Sequence, residues 1–398
     1  MTRVLLVGVR HPGVVRAARK AGLRVQYLGP REGAPDWLAD GADSVCLLDD
    51  PSSESLLAAA CRIHAEQPFG VAVSLNDLYV QITAEINDAL GLHANSPDVP
   101  RATNDKARMR DTLRDSTVGT VIAARVSTID DLKAFASEVG YPFIVKPADG
   151  MGSRGVTLMS SEEGLDDVVA RIRGTAGWVA EEYLSGPEFS VETFSTEGVH
   201  HLLAVTGKFK GPNFVEIGHV VPAPLPSETV QALTAEVTAC LDAIGLLEGP
   251  AHTEVVLTDR GPRIVETHCR PGGDGIAELV RLAVGPDIHQ LVFDWLAGRP
   301  LGLDVATETR AAATWFLTPE AGTVTSVDGL PEARSAAGVT EAYVTVSPGD
   351  SVGELRSSDD RLGAVIATGD TAEQALQRAR GAAALLEVTV KSDPVVVM

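Results

Sequence analysis

The length, composition and charge of the chain set broad limits on what it does. Its 398 residues are 44% hydrophobic and 22% charged, which predicts about two to four domains with well-formed cores rather than a disordered chain. The 33 basic and 54 acidic side chains give a net charge of −21, which opposes non-specific binding to nucleic acid or to an anionic membrane. We therefore expect neither partner, and a polyanionic ligand would need a local cluster of cations and amides.

The lengths of the apolar runs and the spacing of the cysteines indicate the cellular compartment of the protein. The apolar run that follows Arg3 is too short for a signal peptide, and no run of about 18 apolar residues occurs elsewhere. The cysteines lie far apart without a CxxC pair, which favours neither a zinc site nor a disulfide framework. They are Cys46, Cys61, Cys240 and Cys269. We expect a soluble, cytoplasmic protein with reduced and buried thiols.

The first 100 residues have the pattern of a small parallel α/β domain. Short apolar runs predict strands at residues 3–9, 24–28, 45–48 and 71–75, with amphipathic helices up to residue 22 and near residues 54–65. The turn at residues 8–13 departs from the GxGxxG pattern. We interpret it as a tight strand-to-helix turn rather than a dinucleotide site.

A glycine-rich loop follows a strand that ends in a lysine. A charged helix at residues 104–110, a strand near 121–126, a helix at 130–139 and a strand at 143–146 precede three glycines in residues 149–155. Glycine permits positive φ and close approach of the backbone to a ligand. Lys146 beside mobile N–H groups suits nucleotide phosphates, and Lys106 is a second candidate cation. We predict a phosphate-covering flap with Gly152, Ser153 and Arg154 at its centre.

The segment from residue 181 to residue 192 has two carboxylates on either side of an apolar hinge. The backbone at Tyr183 and Leu184 can bind adenine, with Glu181 nearby, while Glu188 can accept hydrogen bonds from ribose hydroxyls. The alternative is an ordinary strand end with two surface acids.

A predicted hairpin contains a second pair of carboxylates. Strands at residues 178–183, 188–194 and 202–208, followed by a hairpin that turns at 259–261, predict an antiparallel α+β half. This hairpin can bring Glu254 and Glu266 side by side. Because Mg²⁺ takes one or two carboxylates together with phosphate oxygens, we predict a metal site at these glutamates. A strand-rich segment from about residue 301 leads to a closing helix at 371–386.

In sequence and spacing, the hinge segment resembles the adenine hinge of D-alanine–D-alanine ligases and other ATP-grasp enzymes, which implies that Glu181 and the backbone around Tyr183 and Leu184 contact adenine. The resemblance implies an α/β and α+β architecture with the ATP-grasp fold. Its expected parts are a Rossmann-like parallel N-terminal domain (1–100), a small subdomain with the flap (101–182), a large subdomain with the metal site (183–300) and a C-terminal lid (301–398). It also implies ATP with one or two Mg²⁺ ions, or Mn²⁺, and makes Lys106 and Lys146 the two nucleotide-binding lysines.

The end of the hairpin departs from the ATP-grasp pattern at one position. The family usually has glutamate, asparagine and arginine at alternate positions, and this chain has Glu266, His268 and Arg270. Imidazole suits softer metals than Mg²⁺, so His268 is expected to be a substrate group or to support the metal ligands from outside. Arg270 matches the family arginine that faces the acyl-phosphate and the substrate carboxylate. The loop 271–275 should line the acceptor pocket, and Cys269 is interpreted as packing.

The segment 210–223 refines the resemblance. With its Glu-x-Gly-His sequence and the His-Thr-Glu and Arg-Pro-Gly-Gly segments, the chain is similar to bacterial L-amino-acid (dipeptide) ligases. The resemblance implies a ligase that joins a small-molecule carboxylate to an amine, with His219 orienting one of them, and a homodimer. A solvated loop histidine is the alternative for His219. Alternatives for the chain are a purine-synthesis or biotin-carboxylase type of ligase and a non-catalytic nucleotide-binding protein. Asn76, Asp77, Trp315 and Phe316 are unranked pocket candidates.

Overall fold

The computed structural model describes residues 2–172, 177–303 and 310–391. Their strands form four sheets. The domain ranges predicted from the sequence also include residues 1, 173–176, 304–309 and 392–398, which lie outside the described residues. Within the described part, no helix combines the length and apolar character needed to span a bilayer.

The N-terminal sheet is parallel, as predicted. Its strands are β1 (Arg3–Val7), β2 (Arg24–Pro30), β3 (Ser44–Leu48) and β4 (Val71–Val73), in the order β3-β2-β1-β4. Its helices are α1 (Pro12–Lys20), α2 (Leu38–Gly41), α3 (Ser53–Glu66) and α4 (Asp77–Ala89). The turn after β1 is tight because Gly8 has φ +62°, and a Cβ there would lie 2.1 Å from the Tyr79 ring. Only glycine lets α4 pack this closely against the turn.

The small subdomain is a four-stranded antiparallel sheet with the glycine loop between two of its strands. The sheet contains β5 (Ala123–Val126), β6 (Phe143–Pro147), β7 (Thr157–Met159) and β8 (Trp178–Glu182), in the order β5-β8-β6-β7. The helices of this region are α5 (Asp98–Thr103), α6 (Lys106–Leu113), α7 (Ile129–Val139) and α8 (Leu165–Ile172). Buried apolar residues of α7 and α8, such as Phe135 and Val168, pack against Phe143 of the sheet. The loop after β6 therefore extends from a well-packed base.

The central sheet has eight strands in the order β13-β12-β9-β10-β11-β14-β18-β16. Those before residue 300 are β9 (Glu188–Thr196), β10 (Val199–Lys210), β11 (Glu216–Val221), β12 (Gly249–Thr258) and β13 (Gly261–His268). All neighbours are antiparallel, which confirms the prediction for this half. Helices α9 (Ser227–Ile244), α10 (Ile276–Ala283) and α11 (Ile288–Leu296) accompany it, and a 3-10 turn lies at Pro212–Phe214.

The segment after residue 310 divides between two sheets. Strands β14 (Ala311–Leu317), β16 (Val339–Val344) and β18 (Gly363–Gly369) extend the central sheet, because β14 pairs with β11. Strands β15 (Gly322–Asp328), β17 (Ser351–Val352) and β19 (Glu387–Lys391) form a separate three-stranded sheet. Helices α12 (Leu330–Ser335) and α13 (Ala372–Ala383) and a 3-10 turn at Ser358–Asp360 complete the segment. The domain limits, including the one at residue 300, stay predictions.

The cysteines differ in burial from one another. Cys240 is buried, whereas Cys46, Cys61 and Cys269 are only half-buried. The expectation that all four are buried was therefore wrong for three of them, because α3, β3 and the end of β13 leave these side chains at the margins of the cores. None of the four is in a disulfide bond.

Candidate active site

A deep cleft lies between the small subdomain and the central sheet. It has a volume of about 840 Å³. The residues predicted from the sequence to bind nucleotide or metal line it together: Lys106, Lys146, Gly152, Ser153, Arg154, Glu181, Tyr183, Leu184, Glu188, Glu254 and Glu266. The three separate sequence motifs therefore meet in one place.

A buried ion-pair cluster forms one wall of the cleft. Lys146 Nζ lies 2.7 Å from Glu181 Oε2, and Arg110 binds both oxygens of Glu181 at 2.9 and 3.1 Å. Burial opposes ionisation of Glu181, but the two cations hold its pKa at about 2. Arg110 also donates to the carbonyls of Ile264 and Val265, which ties α6 to β13. The Glu181 carboxylate is thus occupied by cations, and its predicted contact with adenine stays a prediction.

The hinge that is predicted to bind adenine follows directly after β8. Tyr183 is 39% exposed, and both Tyr183 and Leu184 line the cleft. Gly186 has φ +149°, and a Cβ there would lie 2.1 Å from the Leu257 carbonyl. A side chain would push the hinge away from β12, so glycine is required where the chain turns into β9.

Carboxylates converge at the inner end of the cleft. Glu254 and Glu266 are directly paired across β12 and β13, as the hairpin predicted. Oxygens of Glu188, Glu216 and Glu254 also lie within 4.8 Å of one another. This donor set consists of carboxylate oxygens, which suits Mg²⁺ or Mn²⁺.

Two buried lysines neutralise these acids. Lys106 Nζ lies 2.9 Å from Glu266 Oε2 and donates to the Gly150 carbonyl at 2.6 Å. Burial disfavours the charged amine, but Glu266 outweighs it and raises the pKa of Lys106. Lys208 contacts Glu254 and also lies 3.0 Å from Glu216 and 3.4 Å from Glu188. These carboxylates overcome the effect of burial and raise the pKa of Lys208 well above its usual value.

The structure brings His268 into contact with a predicted metal residue. Its Nε2 lies 3.2 Å from Glu266 Oε1, and its Nδ1 lies 3.3 Å from Asp77 Oδ1. The ring is therefore held between two carboxylates. This position fits the expectation that His268 supports the metal ligands from outside, which stays a prediction.

A second chamber adjoins the nucleotide cleft. It has a volume of about 660 Å³ and is lined by His219, His268, Arg270 and Asp274 among others. It shares Gly152, Ser153, Glu216, Glu254 and Glu266 with the cleft. The predicted catalytic residues therefore lie on the far side of the paired glutamates from the adenine hinge.

Arg270 is anchored by the N-terminal domain. Its Nε donates to Asp77 Oδ2 at 2.8 Å, and its second terminal nitrogen lies 2.6 Å from the same oxygen. Asn76 caps the helix that begins at Asp77, which fixes the position of this carboxylate. Burial opposes the charge, but His268 and Arg270 hold the pKa of Asp77 well below its usual range.

The glycine flap rests against the C-terminal segment. Arg154 contacts Asp359, the Ser358 amide donates to the Gly152 carbonyl at 3.3 Å, and Ser153 Oγ donates to the Phe214 carbonyl at 3.2 Å. In this conformation, Arg154 is paired with a carboxylate at the rim, and its phosphate contact stays a prediction.

Several residues of the site were not singled out from the sequence. They are Arg110, Lys208 and Arg361, while Glu216 and Asp274 appeared only as members of the Glu-x-Gly-His segment and of the loop 271–275. Arg110 could have been found, because it lies four residues after Lys106 on one face of α6. Lys208 carries no local signal, since a strand lysine is an ordinary surface residue until the strands pair.

Two family models match the chain. An ATP-grasp domain matches residues 139–278, and an L-amino acid ligase C-terminal domain 2 matches residues 315–391. The chain therefore has the ATP-grasp fold and is similar to ATP-grasp ligases. Within that class it is related to the L-amino acid ligases, which confirms the resemblance inferred from its motifs.

Individual proteins agree with this assignment. An uncharacterized protein of Sinorhizobium fredii, y4rH, is 26% identical over 92% of this chain and 78% of its own length. Alanine–anticapsin ligase of Bacillus subtilis is 26% identical over 56% of this chain, which spans about half of that enzyme (52%). The crystal structure of an L-amino acid ligase from Bacillus licheniformis has a TM-score of 0.84, with 23% identity over 98% of this chain and 99% of its own. Purine-synthesis and biotin-carboxylase structures share the fold as well.

Proposed function

We propose that this protein uses Mg·ATP to convert a carboxylate into an acyl-phosphate and joins it to an amine, with an amino acid as one substrate. ADP and phosphate are the other products. One observation carries the proposal: the nucleotide cleft and the chamber of Arg270 and His219 meet at the paired carboxylates of Glu254 and Glu266. A γ-phosphate held at these glutamates would face a substrate carboxylate in the adjoining chamber.

The nucleotide residues have distinct tasks in this proposal. Lys106 and Lys146 would offset phosphate charge, and the hinge after Glu182 would bind adenine. Glu254 and Glu266 would hold Mg²⁺, with Glu188 and Glu216 close by. When bound, the ion neutralises charge on the β- and γ-phosphates.

The chamber residues would control the two substrates. Arg270 is held rigidly by Asp77 and can bind the substrate carboxylate, then the oxyanion that forms when the amine attacks. Closure of the loop 149–155 would keep water away from the acyl-phosphate. No protein nucleophile is needed, because phosphate leaves directly when the amine attacks.

The C-terminal match favours an amino-acid ligase over the other ligase types. Residues 315–391 match an L-amino acid ligase domain. Phe316 of β14 and Arg361, just before β18, line a neighbouring pocket that shares Gly273 and Asp274 with the chamber. Purine-synthesis and biotin-carboxylase enzymes share the fold and would use the same nucleotide residues, so substrate tests must decide. A non-catalytic nucleotide-binding protein would bind ATP without substrate-dependent ADP release.

The experiment is ADP release with Mg·ATP against a matrix of paired L-amino acids and other small carboxylates, with products identified by mass. We expect ADP release that requires both a carboxylate and an amine, and an amide product of matching mass. Arg270→Ala should abolish this turnover. The matched control is Arg62→Ala, which removes an exposed arginine on α3. ATP binding without stimulated turnover for any pair, or full activity of Arg270→Ala, would contradict the proposal.

Location and assembly are part of the proposal. A cytoplasmic location is consistent with the use of ATP and with four free cysteines. A homodimer is expected from the resemblance and can be tested by light scattering.

A further inference from the structure

Three chain segments meet at the chamber histidine. Arg361 donates to Asp274 from both terminal nitrogens, at 2.8 and 2.6 Å, and Asp274 Oδ2 lies 3.4 Å from His219 Nε2. His219 is on β11, Asp274 is in the loop before α10, and Arg361 precedes β18. The arginine lies within the segment that matches the L-amino acid ligase C-terminal domain 2.

The Phe316 ring contacts both Arg361 and His219. The Arg361 guanidinium lies 3.8 Å from the centre of the Phe316 ring, and the same ring meets His219 nearly edge-on at 5.7 Å and 82°. His219 is 1% exposed, and the Arg361 side chain is 10% exposed. Buried cation–π and bidentate contacts leave Arg361 little freedom, so Asp274 is held firmly against the imidazole.

The hydrogen bond to Asp274 determines which imidazole nitrogen is available. Burial opposes ionisation of Asp274, but His219 and Arg361 hold its pKa well below its usual range, so its oxygens can only accept. A neutral imidazole then carries its proton on Nε2 and a lone pair on Nδ1. Nδ1 is buried and has no hydrogen-bond partner among the described residues, although the ring lines the substrate chamber. A buried acceptor without a protein partner needs a donor from a bound molecule, and His219 lines the chamber in which the proposed substrate would lie.

We propose that Asp274 and Arg361 are positioning residues that fix the ring and tautomer of His219, so that Nδ1 accepts a hydrogen bond from the amino group of the amine substrate. The inference rests on the proposed function and deepens it, because it gives the C-terminal segment a role in amide formation. In that step, the C–N bond forms while the bond from the acyl carbon to the phosphate oxygen breaks, and the proton that the nitrogen loses ends on the departing phosphate. Transfer of the γ-phosphoryl group from ATP to the substrate carboxylate, the first step, would not involve this arrangement.

The backbone at Asp274 allows a clean substitution. Asp274 has φ +55°, a left-handed conformation that aspartate and asparagine tolerate better than most residues. Asp274→Asn therefore removes the charge and the fixed acceptor without new backbone strain. Arg361→Gln removes the guanidinium that donates to both oxygens of Asp274, and it leaves the sequence of the loop 271–275 unchanged.

The test separates the two half-reactions. Hydroxylamine attacks acyl-phosphates as an uncharged nucleophile at neutral pH, so hydroxamate formation reports activation of the carboxylate without the amine step. We expect Asp274→Asn and Arg361→Gln to lower kcat for amide formation by at least about 10-fold, while hydroxamate formation and the KM for ATP change by less than about 3-fold. The matched control is Arg356→Gln, which removes a 77% exposed arginine from the same segment. Hydroxamate formation in each variant also shows that it is folded.

Two results would overturn the inference. One is unchanged amide formation in both variants. The other is a parallel loss of hydroxamate and amide formation, which would mean a purely structural role. A parent enzyme that forms neither hydroxamate nor amide with any pair would instead contradict the proposed function itself, and the inference with it.

Discussion

The nucleotide cleft and the substrate chamber stabilise their buried charges in different ways. In the cleft, lysines pair with glutamates from motifs that can be read locally, such as Lys146 with Glu181. In the chamber, Arg270 pairs with Asp77, 193 residues away in another domain. Arg361 pairs with Asp274, 87 residues away. Most residues of the cleft therefore lie in short motifs, with Lys106 an exception because its partner Glu266 is distant in the chain. The chamber is assembled from single residues of distant segments.

This difference suggests where substrate specificity can vary. A nucleotide site made from contiguous motifs can stay the same while single distant residues change the chamber. Variants that damage one region and spare the other are the way to test the comparison, because each region should affect a different part of the reaction.

The largest effect is expected where the two regions meet. Glu266→Gln keeps the shape of the side chain but removes a predicted metal ligand and the partner of Lys106. We expect kcat for ADP release to fall by at least about 10³-fold, and both half-reactions to fall together. The measurement is ADP release over a range of Mg²⁺ concentrations, with Glu138→Gln on the exposed face of α7 as the control. Activity within about 3-fold of the parent at high Mg²⁺ would show that Glu266 is not a metal ligand.

The next largest effect concerns the stability of the cleft wall. Arg110→Met removes the bidentate partner of Glu181 and two hydrogen bonds to carbonyls of β13. Breaking a buried ion pair in this way should lower the free energy of unfolding by about 3 kcal/mol. Lys146→Met should cost less stability, because Arg110 still pairs with Glu181, but it should weaken ATP binding. Urea denaturation and ATP titration measure the two effects, and equal loss of stability in both variants would contradict this division.

A smaller and more selective effect is expected in the chamber. Asp77→Asn removes the charge that holds Arg270 but keeps the cap residue Asn76 and the start of α4. We expect kcat for amide formation to fall by about 10- to 100-fold, with the KM for ATP unchanged. Steady-state kinetics with each substrate varied separately measure this. An increase in the KM for ATP of the same size would mean that the chamber and the cleft are not independent.

The smallest effect is expected at the flap. Arg154 and Asp359 form an exposed pair, with side chains 61% and 65% exposed, and such pairs contribute little. Asp359→Asn should change kcat and the KM for ATP by less than about 3-fold. If Arg154 leaves Asp359 to bind phosphate, Arg154→Ala should raise the KM for ATP by clearly more than Asp359→Asn does. Equally small changes in the KM for ATP in the two variants would show that Arg154 does not bind the nucleotide.

The sequence by itself determined the fold class and predicted most of the residues that line the cleft. Hydrophobic periodicity fixes strands and helices, and the glycine loop, hinge and hairpin each place their functional residues within a few positions of one another. The paired glutamates could be predicted because a tight hairpin leaves few registers.

Only the tertiary structure decided the partners of those residues and the make-up of the chamber. Glu181 was expected near adenine, but α6 brings Arg110 onto its carboxylate. Asp77 and the loop that contains Asp274 were only unranked pocket candidates, and Arg361 has no local signal, since an isolated charged residue is ordinarily solvated. They become a site because the N-terminal domain and the C-terminal strands pack on the central sheet, and ion pairs across such distances depend on the complete fold.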